Sequence, residues 1–191
     1  MPAPDKSLLE RVARGISRPG AAAPPGVTSS ILAQASTSYG AKPVVDEATV
    51  PTGFDPAAAA LFEATVEAAF LVANCDGVFD PEERAAFQSV VVEGCNNNVQ
   101  PAQLEALLAD LSQQLRDDGI EKRARMVARS ITRRDHQVEV LRIAALMAHI
   151  SGGVSAEERK VIDVLAKDFD LDAAAVDDAL RAAENALKGD A

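Results

Sequence analysis

The sequence predicts an all-α protein: a compact bundle of about seven helices, built from two helical repeats and preceded by a mostly disordered N-terminal tail. Three observations predict it. Apolar residues make up 48% of the 191 residues but aromatics only 4%, so the core is built from Ala, Leu, Val and Ile. Alanine has no side-chain entropy to lose in a helix, and a core of this kind favours helices. From Phe54 onward the apolar residues recur at helical spacing, and no alternating β pattern of useful length appears.

Residues 1–54 read as the tail. Eight of the ten prolines fall at or before Pro56, and residues 19–53 mix Pro, Gly, Ser, Thr and Ala without sustained periodicity. Such a segment buries too little apolar surface to offset its ordering entropy. Residues 6–18 differ: Leu8, Leu9, Val12 and Ile16 share one helical face, with Lys6, Arg11, Arg14 and Arg18 mostly elsewhere. A helix this short is marginal alone and frays. Placed before a flexible linker it has the layout of a docking peptide for a protein partner, a larger assembly or a membrane surface.

The helical domain spans 55–189. Helices are expected at about 56–74, 80–94, 101–117, 119–133, 135–150, 155–168 and 172–188. Leu104, Leu107, Leu108, Leu111 and Leu115 form the apolar stripe of the third, and Val161, Val164, Leu165 and Phe169 that of the sixth.

The domain repeats itself. Residues 66–84, VEAAFLVANCDGVFDPEER, align without gaps to 141–159, LRIAALMAHISGGVSAEER, an offset of 75. Residues 99–108 align to 171–180 at an offset of 72, because the first copy carries three extra loop residues, Asn96-Asn97-Asn98. Each copy is a helix, a Gly loop, a helix, a short loop and a third helix, with 119–133 as a bridge. Short connections favour antiparallel neighbours in one bundle.

Both Gly loops share one local design. Gly77 and Gly152 supply a left-handed residue where the first helix stops. Asp80 and Ser155 are N-caps, and Pro81 stands at a first helical position that needs no N–H. Glu83 and Glu158, three residues after the caps, complete capping boxes, and Glu82 and Glu83 favour the positive end of the helix dipole.

The pattern Ala-x-x-Asp-Gly-x-apolar-[Ser/Asp]-x-x-Glu between two helices, present twice, resembles the TerB-like (tellurite-resistance) family, which also includes a domain of a membrane-anchored DnaJ-type co-chaperone. The resemblance covers about residues 55–188. It implies a helical bundle, a non-enzymatic role in metal, tellurite or general stress response, and a divalent metal ion (Ca, Mg or Zn) at the acidic loop. Carried onto this chain, the metal candidates are Asp76, Asp80 and Glu83. The second loop departs from the pattern, with Ser151 where the acid would stand. Capping and the Asp-Gly turn also account for these three residues without a metal. Asp168, Asp170 and Asp172 imitate the start of an EF-hand, but Ala173 and Ala179 stand at its sixth and twelfth positions, so Asp172 reads as a helix cap.

The formal net charge of −10 repels phosphate backbones and argues against nucleic acid as a partner. The one basic patch is Lys122, Arg123, Arg125, Arg129, Arg133 and Arg134; it suits an acidic partner, anionic lipid or a second copy of the chain, or is simply a solvated face. Two cysteines, Cys75 and Cys95, make no disulfide framework and, with His136 and His149, match no zinc-finger spacing. Cys75 corresponds to Ile150 and is expected to face the core. Asn74 and His149 correspond; such a polar pair suits capping of helix-end carbonyls or reaching a metal, and capping is expected. No transmembrane run, secretory signal, nucleophile–base pattern or phosphate loop is found. The sequence thus predicts a cytoplasmic, non-enzymatic interaction module; the alternative is a divalent-metal sensor or buffer using the first Asp-Gly loop.

Overall fold

A computed structural model describes residues 5–21, 23–42, 54–77 and 79–188. The described residues contain helices and no strands. Seven helices follow the expected positions closely: α3 (Pro56–Ala73), α4 (Pro81–Gly94), α5 (Pro101–Asp118), α6 (Ile120–Ser130), α7 (Arg134–Ala148), α8 (Ala156–Asp168) and α9 (Ala173–Lys188). Two more precede them, α1 (Lys6–Ser17) and α2 (Ile31–Gly40).

These two helices correct the expected tail over residues 5–21 and 23–42. Val12 and Ile16 of α1 are fully buried, and α1 packs on α4, α7 and α9. The apolar face read as a docking surface is thus committed to the chain's own bundle. α2 buries Leu32, Ala33, Ala35 and Tyr39 against α3, with Tyr39 stacked on Phe62 at 4.5 Å between ring centroids. Residues 1–4 and 43–53 of the expected tail, and Gly189 of the expected domain, lie outside the described residues.

The starts of the helices are written in their caps. Asp55 accepts from Ala57 N and Ala58 N ahead of Pro56. Ser30 accepts from Ala33 N, and Gln103 Oε1 accepts from Gln100 N. Gly119, at φ 75°, makes the sharp joint between α5 and α6 that a side chain would resist.

At the centre α3 packs on α7, the first helix of one repeat on that of the other. By length and composition α3 could cross a membrane, but Phe62, Phe70, Leu71 and Val72 are fully enclosed by the bundle. It is the core helix that the other elements surround.

The repeat reaches further than the two Gly loops. α1 and α6 are counterparts: residues 12–18, VARGISR, match 127–133, VARSITR, at five of seven positions. Val12 and Val127, and Ile16 and Ile131, are all buried. α1 packs on α4, α7 and α9, and α6 on their counterparts α8, α3 and α5. Each copy is therefore a four-helix unit, and α6 is the first helix of the second unit rather than a bridge.

Each unit holds the other's first helix through a buried charge at one repeat position. Glu67 of α3 accepts a 2.6 Å hydrogen bond from Arg123 Nε of α6. Its counterpart Arg142 of α7 donates to the carbonyls of Gly15 (3.0 Å) and Arg18 (2.7 Å), at the end of α1. Arg142 also pairs with Glu139 at 2.6 Å, and Glu139 Oε2 accepts from Gly20 N. Burial pushes the Glu67 carboxyl up, against the pull of Arg123.

α2 has no counterpart in the second unit. It is an insertion, and the three extra residues Asn96-Asn97-Asn98 belong with it. Asn98 Nδ2 donates to Ser36 Oγ (3.2 Å) and Thr37 Oγ1 (3.4 Å) of α2. Asn96 and Asn97 take left-handed conformations at φ 53° and 58° to turn the loop there, a conformation Asn tolerates. A Cβ on Gly40 would collide with the Asn98 carbonyl. The first unit's two departures from the repeat thus form one contact.

Candidate functional site

The two Gly loops lie side by side at one end of the bundle, around a cleft of about 550 Å³. From the first loop it takes Cys75, Asp76, Phe79 and Glu83, and from the second Ser151, Ser155 and Glu158. Phe79 anchors the first loop, meeting Phe70 and Phe87 edge-on at 5.4 and 5.8 Å.

Both loops are built as their residues require. Gly77 and Gly152 have φ of 79° and 104°. Asp80 Oδ1 accepts from Glu82 N (2.8 Å) and Glu83 N (2.9 Å), and Glu83 Oε2 accepts from Asp80 N at 3.2 Å. Ser155 Oγ accepts from Glu158 N at 3.1 Å, and Glu158 Oε2 accepts from Ser155 N at 2.7 Å. Both capping boxes are therefore closed. Asp172 Oδ1 accepts from Ala175 N, the cap expected in place of an EF-hand.

Of the three metal candidates, Asp80 and Glu83 point into the cap of α4, and Asp76 is exposed on the loop before it. Among the described residues, no three His, Cys, Asp or Glu side chains converge in a way that could hold an ion. As they stand, Asp76, Asp80 and Glu83 do not form a preassembled ligand set.

What the loops do bring together is negative charge across the repeat boundary. Glu158 is buried, and its carboxyl is pushed up by burial and then by the charges of Asp76 and Glu83. The Cys75 thiol is pushed up by burial, then by Glu158 and Asp76. Cys75 is therefore held as a thiol, the opposite of what a reactive cysteine needs. Cys95 is fully buried in the core and pushed up to about 12 by that burial.

Asn74 and His149 occupy matching places, but Asn74 Oδ1 and His149 Nε2 are buried and make no hydrogen bond. His149 Nε2 thus caps no helix-end carbonyl, while Asn74 Oδ1 is an acceptor without a donor. Burial pushes His149 down, so it is a neutral imidazole at neutral pH. Glu158 is the residue that reasoning from the first loop alone overlooks. The signal for it is the repeat itself, since Glu158 stands where Glu83 stands.

Comparison with protein-family models, with curated proteins and with solved structures returns no match.

Proposed function

We propose that the chain is a non-enzymatic interaction module of the TerB-like kind, binding an acidic protein partner or a second copy of itself in a metal, tellurite or general stress response. The observation that carries it is the outer face of α6. Met126, at 40% exposure, is the large apolar side chain left in solvent among the described residues, and Arg125 and Arg129 flank it. Neither arginine has an ion pair among the described residues. On a chain of net charge −10, two uncommitted guanidiniums one helical turn apart suit a carboxylate-bearing surface. The N-terminal segment 6–18 joins this reading through its outward side, where exposed Arg14 is the repeat counterpart of Arg129.

The test is a charge reversal, Arg125→Glu with Arg129→Glu. Wild type is expected to bind polyglutamate, or to self-associate in sedimentation velocity, in a manner that weakens with salt. The double variant should lose this while keeping its helicity. If wild type binds neither the polymer nor itself, the reading fails.

A divalent-metal sensor is the second reading, and the crowding of Asp76, Glu83 and Glu158 favours it. A cation drawn between the loops would relieve that repulsion. Calorimetry of chelator-stripped protein with Ca²⁺, Mg²⁺ and Zn²⁺, beside Asp76→Ala, separates the cases. Saturable heat lost in the variant supports the sensor, and no heat from any ion removes it. Without a cation, Glu158→Gln keeps the cap acceptor and loses the repulsion, so it should stabilise the fold at neutral pH. A carboxyl raised in the folded state opposes folding above its folded pKa and no longer does so below its ordinary value of 4.5. The advantage of Glu158→Gln in thermal unfolding should therefore shrink as pH falls toward that value. An advantage that grows on acidification would contradict the assignment.

A further inference from the structure

The repeat gives the bundle two lateral clefts at equivalent places. One, of about 590 Å³, runs between α3 and α5 and is lined by Glu63, Glu67 and Asp110 with Lys42 and Arg123. The other, of about 510 Å³, runs between α7 and α9 beneath the connection from α1 to α2. Val138, Arg142 and Ala182 in the second are the repeat counterparts of Glu63, Glu67 and Asp110 in the first. The same scaffold position is acidic on one side and mostly apolar on the other.

The second cleft is a built site. Its walls are Pro24, Val27, Ile31, Val138, Ala179 and Ala182. Its floor is the buried Glu139–Arg142 pair, and the same pair pins the roof: Glu139 accepts from Gly20 N, and Arg142 donates to the Gly15 and Arg18 carbonyls. A Cβ on Gly20 would strike the Glu139 carboxylate, so glycine lets the roof come down onto the floor.

The charges of the lining cancel within it. Arg133 pairs with Asp135 at 2.5 Å, Arg142 with Glu139 at 2.6 Å and Arg181 with Asp178 at 2.7 Å. The Arg142–Glu139 pair is buried and the other two are exposed, so a charged ligand that reaches the floor meets no free counter-ion there and has to break the buried pair, which is costly. His136, half-buried at the rim, is pushed down by burial and then by Arg133, so at neutral pH it offers one donor and one acceptor and no charge. The volume lies within the range of small-molecule sites, about 300–1,000 Å³, whose usual lining is apolar with a few placed polar groups.

We propose that the cleft between α7 and α9 binds an uncharged, largely apolar small molecule carrying one hydrogen-bonding group, its body against Val27, Val138 and Ala182 and its polar group at His136. This adds a ligand to the interaction module and does not depend on the α6 surface.

The probe is N-phenyl-1-naphthylamine, an uncharged dye that brightens in apolar surroundings, titrated into the full chain. Saturable, stoichiometric binding is expected. Ala182→Phe should weaken it by at least about tenfold, a loss of about 1.4 kcal/mol. Asp110→Phe, the same block in the other cleft, should leave it unchanged. Val27→Asp lies on the connecting segment, where no helix has to accommodate it, and should weaken binding even if Ala182→Phe fails to fold. The anionic analogue 8-anilinonaphthalene-1-sulfonate should bind at least about tenfold more weakly than the neutral dye. The proposal is overturned if the neutral dye does not saturate, if the sulfonate binds as tightly, or if binding is indifferent to Val27→Asp.

Discussion

Replacing Arg142 by Ala should cost about 3–5 kcal/mol of stability, the usual loss when one member of a buried ion pair is removed. Arg142 is 6% exposed and makes four hydrogen bonds: two to Glu139 and one each to the Gly15 and Arg18 carbonyls. The variant leaves the Glu139 carboxylate, 9% exposed, without its counter-ion. It also leaves two carbonyls at the end of α1 without donors, so the damage should begin there. Urea unfolding measures the global loss, and limited trypsin digestion should show faster cleavage after Arg11 and Arg14 than in wild type. Arg142→Met combined with Glu139→Gln should lose less than Arg142→Ala alone, because no uncompensated charge remains. A single variant as stable as wild type, with unchanged trypsin sites, would mean that the brace between the units contributes little.

That brace marks where sequence reasoning stopped. The helices of residues 56–188 were legible because of local instructions: caps such as Asp55, Asp80 and Ser155, apolar stripes, and a Gly or Pro at several of the boundaries. The closed capping boxes were legible for the same reason. α2 was not. Its sequence, ILAQASTSYG, is small and polar, and buried Ser36, besides donating to the Ala33 carbonyl within its own helix, accepts from Asn98, more than sixty residues away in the chain. That is tertiary information, which periodicity does not carry. The match of α1 to α6 was hidden differently. The insertion holding α2 shifts the offset from 75 residues to 115 (Val12 to Val127), so the alignment that revealed the Gly loops ends before reaching it.

The candidate site was legible to the same depth. Asp80 and Glu83 were readable as caps from spacing alone, and they are caps. That the opposite loop would set Glu158 against Asp76 and Glu83 was not, because a repeat states equivalence and leaves proximity open. Only the packing of α3 on α7 brings the two loops to one end of the bundle. The alignment sets Glu67 opposite Arg142, residues of opposite charge. In the fold this is one structural position solved twice, once by a carboxylate gripping a guanidinium and once by a guanidinium gripping helix-end carbonyls.

If α1 is the first helix of a four-helix unit, Ile16→Ala should be as damaging as Ile131→Ala, although one residue lies in a Pro- and Gly-rich N-terminal stretch and the other in the middle of the domain. Both side chains are essentially unexposed, at 0% and 1%. Truncating a buried Ile to Ala costs about 2–5 kcal/mol, through lost transfer energy and the cavity left behind. The surroundings of Ile16 are tight: a Cβ on Gly94 of α4 would collide with its Cγ1 and lie 3.1 Å from the Ala13 carbonyl. This is close helix packing, which relaxes little when a side chain is cut back. The two variants should therefore lose stability to within about a factor of two of each other in urea unfolding, the usual spread for one chemistry in different sites. A large loss for Ile131→Ala beside a negligible one for Ile16→Ala would show that α1 is peripheral in solution. Its apolar face would then be free to dock on a partner after all.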